Sequence, residues 1–141
     1  MGMDHDIMTR LEHGKDLVLE LERLAEGHGL TRGTVQVIGA LKGAMLGFFD
    51  AEKGQFVTNA VPCPVELVSG LGNVSLNQGR PKVHLHLIVA TREGRCLGGH
   101  AMPGCVVYAV EAVLREIPGP PLERSLDQET GMSLWPREGK G

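Results

Sequence analysis

Histidines at positions 84, 86 and 100 are the residues of this chain best placed to do chemistry. They stand in the stretch KVHLHLIVATREGRCLGGHA, residues 82–101. A neutral imidazole offers a ring nitrogen to a metal, and three together hold a divalent ion while leaving a fourth position for water or substrate. Zinc is the expected occupant, although nickel, iron or manganese suit the same donors. The chemistry depends on whether the backbone brings the three rings together.

Side chains alternate across a strand, so His84, His86 and Ile88 share one face while Val83, Leu85, Leu87 and Val89 share the other. The second face is uniformly apolar and belongs to a core. The two histidines then stand about 7 Å apart along the strand, near enough for both rings to reach one ion. His100 depends on the turn. A three-residue loop, Arg92-Glu93-Gly94, suits a type I turn closed by a left-handed residue, and glycine stands where that conformation falls. Thr91 then pairs with Arg95, Gly98 lies opposite Ile88, and His100 lies opposite His86 on the same face. A two-residue turn would set His100 against Leu87, on the wrong face. The glycine favours convergence. The alternatives are a polar sheet face whose histidines serve as surface hydrogen-bonding groups, and a cluster at a subunit interface. His5, His13 and His28 have no comparable geometry and read as solvated.

Glu66 interrupts the apolar run VELV, and Glu111 interrupts VYAVEAVL. With Arg80 and Arg124 they are candidates for acid–base work or for binding a carboxylate beside a metal, and Glu66 and Arg124 lead as catalytic candidates. Glu66 reads equally as an edge or interface charge, and Glu111 equally as half of an ion pair between subunits. Asn73, after GLG, reads as a turn or bulge residue. Cys105 follows MPG, where a tight turn would pair it with Ala101, off the histidine face, so it is not counted as a ligand.

The whole chain narrows the partners. Its 141 residues suit one domain, 1–141, long enough to bury a core, and 42% hydrophobic with 22% charged residues is ordinary for a globular protein. A net charge of −3 argues against broad attraction to nucleic acid, and 4% aromatics leave few rings to stack on bases. Three cysteines without CxxC spacing point to a reducing, cytoplasmic setting. The opening MGMDHDIMTRLEHGKD is too charged for a signal peptide, and no apolar run approaches membrane-spanning length. No phosphate loop, dinucleotide fingerprint or serine-nucleophile elbow is present. Any activity at the histidines is therefore expected to be metal-assisted, on a small polar or carboxylate ligand, with the reaction itself unassigned.

The elements that must position these residues follow from periodicity. Leu17, Val18, Leu21, Leu24 and Ala25 recur at helical spacing, with Glu20, Glu22, Arg23 and Glu26 largely elsewhere, and predict a helix over roughly 14–28. TVQVIGALKGAMLGFFD reads as two strands interrupted at glycines, FVTNAV as a short strand, and VELVSGLGNVSLN as a bent one. After the QGRP turn, KVHLHLIVA, RCLGGHA and CVVYAVEAVLREI complete a β-meander, and the tail holds one short strand near Leu122–Leu126. The class is α+β, a largely antiparallel sheet with one main helix packed on it.

The order and spacing of RLEHGKDL, VQVIGAL, VELVSGLGNVSLNQGRPKVHLHLIVA, GRCLGGH and ERSLDQETGMSLW resemble the plant-and-prokaryote-conserved (PPC) domain family over nearly the whole chain. The resemblance implies a compact α+β domain, usually a homotrimer. Plant members join the domain to an AT-hook and bind AT-rich DNA, which makes DNA binding the second functional reading. Gly79-Arg80-Pro81 is the core of an AT-hook, yet only Lys82 flanks it and an apolar strand follows at once, so it reads as a turn. Prokaryotic members resemble this chain at His84, His86 and His100, whereas plant members generally lack these residues. The family motif also places an acidic residue at the position of Glu66, and its closing motif includes Arg124, as a subunit bridge or an anion-binding group. The fold is similar to that of acetolactate decarboxylase, a metalloenzyme with a three-histidine zinc site; the likeness supports metal binding and not that substrate.

Overall fold

The computed structural model describes residues 6–139, so His5 lies outside the described residues. In chain order the elements are β1 (Ile7–Arg10), α1 (Leu17–Gly27), β2 (Gly33–Asp50), β3 (Gln55–Val61), β4 (Val65–Asn77), β5 (Arg80–Ala90), β6 (Cys96–Ala101), β7 (Val106–Glu116), β8 (Glu123–Leu126) and β9 (Ser133–Leu134). The α+β class with a largely antiparallel sheet and one main helix is as expected; the parallel pairing of β8 with β4 is the exception.

Leu17, Leu21 and Ala25 recur every four residues along α1 and are fully buried. Asp16 caps the helix, its Oδ1 accepting the Leu19 N–H at 3.1 Å. Through Oδ2 the same carboxylate accepts the Gly104 N–H at 2.7 Å, fastening the helix start to the segment before β7. The helix is therefore shorter at its start than the periodicity predicts. Glu20, off the apolar stripe, is also buried, because Arg23 closes over it with two bonds of 3.0 and 3.1 Å.

β2 is one strand of 18 residues, not two. The glycine-rich stretch bulges, with register shifts between Val37 and Gly39 and between Ala40 and Gly43, but the ladder continues through it. The first half of β2 pairs with β4 and β7, the second half with β3 and β6. The expected meander of the last strands does not form, because β6 and β7 both pair with β2 rather than with each other. So long a strand must satisfy its backbone groups along its whole length, and the Met102 N–H donates to the Met45 carbonyl at 3.0 Å as the chain passes between β6 and β7. Cys105 consequently does not pair with Ala101; it is buried, and its thiol donates to the Met45 carbonyl at 3.5 Å.

β5 joins β4 to β6, so the pairings β2–β4, β4–β5, β5–β6 and β6–β2 close a ring of four strands. The face of β5 carrying Val83, Leu85, Leu87 and Val89 enters the core with Leu67, Val35, Val37 and the apolar stripe of α1. Each of those leucines contributes about 1.5–3 kcal/mol on burial, which pins the register that decides where the opposite face points. After β7 the chain returns over β4. Asp127 Oδ2 accepts the Thr130 N–H at 2.9 Å, and the turn lets β9, which the sequence reading missed, pair with β8.

Candidate metal centre

The β5–β6 hairpin closes through the expected three-residue loop. The Thr91 N–H donates to the Arg95 carbonyl at 2.9 Å, and the Gly94 N–H donates to the Thr91 carbonyl at 2.8 Å. Gly94 takes a left-handed conformation, φ +82°, which costs most other residues about 1–2 kcal/mol. The register that follows sets His86 opposite His100 and Ile88 opposite Gly98. His84 stands two residues before His86 on the same face.

The three rings meet. Their centroids are 4.9, 5.1 and 5.6 Å apart, one donor nitrogen from each lies within 4.8 Å of the others, and His84 Nε2 is 3.1 Å from His86 Nε2. Nitrogens around a tetrahedral zinc are about 3.3 Å apart, so small ring rotations convert this cluster into a ligand set. No thiol or carboxylate among the described residues joins the cluster. Loss of water at the half-buried His84, reinforced by His100, His86 and Arg124, lowers its pKa to about 4. Burial, then His86, Lys82 and Arg124, lower that of His100. Both shifts favour the neutral ring, the form that binds metal.

One aromatic side chain that the sequence reading did not single out borders the cluster. Phe56 of β3 stacks on His100 with centroids 4.8 Å apart. Gly47 lies opposite His100, and a Cβ there would come within 2.8 Å of Met102 Sδ and 3.1 Å of Phe56 Cδ1, so glycine leaves Phe56 its place. Toward β4, Asn73 lies opposite His84. It is a mid-strand residue rather than a turn residue, and its Oδ1 accepts from Arg124 Nη2 at 3.1 Å. Arg124 Nε donates to Ser75 Oγ at 2.7 Å, Nη1 donates to the Ser133 carbonyl at 2.9 Å, and the guanidinium lies 4.7 Å from the centre of the Trp135 ring. A tryptophan closing the GMSLW segment, the chain's single one, was the available signal.

The other candidates are not at the cluster. Glu66 is exposed and opposite Ala90, four ladder positions from His86 or about 13 Å along the strand. Glu111 is exposed between Arg10 and Ile38. Arg80 opens β5 and pairs with Glu26 at 3.2 Å; Gln78 and Gly79, with φ of 51° and 74°, make the turn before it. His28 is exposed at the end of α1, and the exposed His13 hydrogen-bonds the Tyr108 carbonyl through Nδ1 at 2.7 Å. A cleft of about 470 Å³ beside His13, Glu20 and Tyr108 lies between β1, α1 and β7, away from the histidine cluster. No helix among the described residues is long and apolar enough to cross a membrane.

Comparison with known proteins places the chain among relatives of this architecture. The family model for the Plants and Prokaryotes Conserved (PCC) domain matches residues 2–118. The crystal structure of a metal-containing protein from Archaeoglobus fulgidus is 33% identical with a TM-score of 0.88, covering 94% of this chain and 93% of that one. A plant- and prokaryote-conserved protein from Pyrococcus horikoshii is 31% identical with a TM-score of 0.89, covering 97% and 96%. The bifunctional protein GlmU of Synechococcus sp. (strain JA-2-3B'a(2-13)) is 36% identical over 124 residues, 86% of this chain and 18% of that protein. The chain thus spans less than a fifth of the length of the curated relatives it matches, at 18% and 19%.

Proposed function

The chain belongs to the Plants and Prokaryotes Conserved domain family, and we propose that it is a metal-binding member, holding one divalent ion, zinc in the first place, on His84, His86 and His100. The convergence of three imidazole nitrogens within 4.8 Å carries this reading. The metal-containing description of the Archaeoglobus fulgidus relative supports it. A zinc ion on three histidines keeps a coordination position for water or ligand and acts there as a Lewis acid. The chain's own residues supply the rest. Phe56 screens one side of the cluster, Arg124 brings positive charge to the other, and a small polar or carboxylate ligand suits a site so lined. Of the two catalytic candidates, Arg124 stands beside the cluster, and Glu66 would reach it only from a second copy.

The proposed assembly is a homotrimer. Ile38, Val68, Leu71 and Ile88 are exposed on adjacent strands of the sheet's outer surface, and Leu71 lies directly opposite His86. An apolar patch of that kind beside a candidate site suits contact between copies. DNA binding ranks second, since Arg80 is held in a strand and paired with Glu26 and the chain carries net charge −3.

Elemental analysis of untagged protein tests the main reading. About one metal ion per chain is expected, and metal-free protein that takes up no zinc on incubation would overturn it.

A further inference from the structure

Two charged side chains are buried among the described residues, Glu20 and Arg124. Glu20 has its counter-ion in Arg23 at 3.0 Å. Arg124, 9% exposed, has none among the described residues: it donates to Ser75 Oγ, Asn73 Oδ1 and the Ser133 carbonyl, all neutral acceptors. Arginine stays ionised in proteins, and burying an uncompensated charge is costly. Other arginines of the chain illustrate the contrast, since Arg23, Arg80, Arg115 and Arg137 each pair with a carboxylate.

Arg124 is held beside the histidine cluster. Asn73, which binds its Nη2, lies opposite His84 in the β4–β5 ladder, where directly paired residues share a face at about 5 Å. Three of the five Arg124 N–H groups have the partners named above, so one on each terminal nitrogen remains to bind a further acceptor.

We infer that Arg124 is the anion-recognising group of the site, and that the ligand presented to the metal carries a carboxylate that supplies the missing counter-charge. The inference rests on the metal reading and narrows it from polar ligands in general to anionic ones. Ser75, Asn73 and Ser133 fix the guanidinium so that little side-chain freedom is lost when the anion binds. Trp135 packs against the same group and reports on it.

The test uses zinc-loaded full-length protein titrated with acetate and with its neutral analogue acetamide at constant ionic strength, read by calorimetry and by Trp135 fluorescence. Acetate is expected to bind at least tenfold more tightly than acetamide. Arg124→Gln should lose that preference while retaining zinc. Should Arg124→Gln fail to fold, Asn73→Asp, which places a carboxylate on Arg124, should lose the preference in the same way. Wild type that binds zinc without preferring acetate, or a zinc-loaded variant that keeps the preference, would overturn the inference and leave metal binding standing. Wild type that binds no zinc would overturn the metal reading and this one with it.

Discussion

His86 and His100 face each other directly across the β5–β6 ladder, with His84 adjoining both. Any one of the three should therefore be needed for metal. His86→Ala is expected to weaken zinc binding by about 100-fold or more, whereas His28→Ala, changed at the exposed end of the helix, should leave occupancy unaltered. Equal zinc content in wild type and a His84/His86/His100 triple alanine variant would exclude the site.

The turn is the second lever. It sets a register that deleting Leu97 from β6 would break: the loop stays intact while His100 moves one position along the ladder, opposite Leu87, which turns its ring to the opposite face. Zinc binding should be lost. Gly94→Ala keeps the loop length and strains only the left-handed residue, so it should cost about 1–2 kcal/mol of stability yet leave zinc stoichiometry intact. Urea unfolding beside metal analysis separates the two outcomes; retained metal in the deletion variant would contradict the register mechanism.

That lever was legible in the sequence because it is local. A glycine at the third loop position and strict alternation along VHLHLIV determine the hairpin and the histidine face with no other information. What lay beyond reach was set by partners distant in the chain. Arg124 stands 51 residues from Asn73 and 49 from Ser75, so nothing near Asn73 marks it as an acceptor instead of a turn former. The continuity of β2 was hidden for a related reason. Its glycines weaken the strand signal locally, and the ladder is sustained by flanking strands from both later parts of the chain. The burial of Glu20 was not legible because helical spacing reports the apolar stripe and not whether a neighbouring Arg23 lets a carboxylate be covered.

Acid should act on the metal-free protein through His84. Its pKa is lowered to about 4 from 6.5, so between those values the unfolded chain takes up a proton that the folded chain refuses. Stability is then full above pH 6.5 and declines as pH falls toward 4, below which both states are protonated. His84→Gln removes this component, and its stability should fall less than wild type over the same window. Zinc competes for the same nitrogens, so bound metal should delay the decline. Parallel pH–stability curves for wild type and His84→Gln would show that the ring is not the source.

Duplex DNA provides a separate test. Counterion release requires several cations facing phosphate, and here Arg80 is engaged by Glu26 and Lys82 by Glu22 at 3.3 Å. AT-rich and mixed-sequence duplexes should both bind weakly at physiological salt, with no loss in Arg80→Ala. Tight, AT-selective binding that Arg80→Ala weakens would put DNA ahead of metal.

Assembly supplies the last prediction. Ile38 and Val68 lie on neighbouring strands, each about half exposed at 56% and 50%, and Leu71 and Ile88 extend the same surface at 58% and 47%. Glu111 stands opposite Ile38 and Glu66 opposite Ala90, so charged side chains border the apolar ones. This arrangement, an apolar centre with a polar rim, is what a subunit contact requires. Light scattering should report about three chains per particle at micromolar concentration. Ile38→Asp and Val68→Asp, which change the patch without touching the histidines, should shift the particle toward single chains. Because all three histidines come from one chain, those variants should still bind zinc, and joint loss of zinc and assembly would mean that a neighbouring copy completes the site. A wild-type particle of one chain would remove the trimer and return Glu66 and Glu111 to ordinary surface positions.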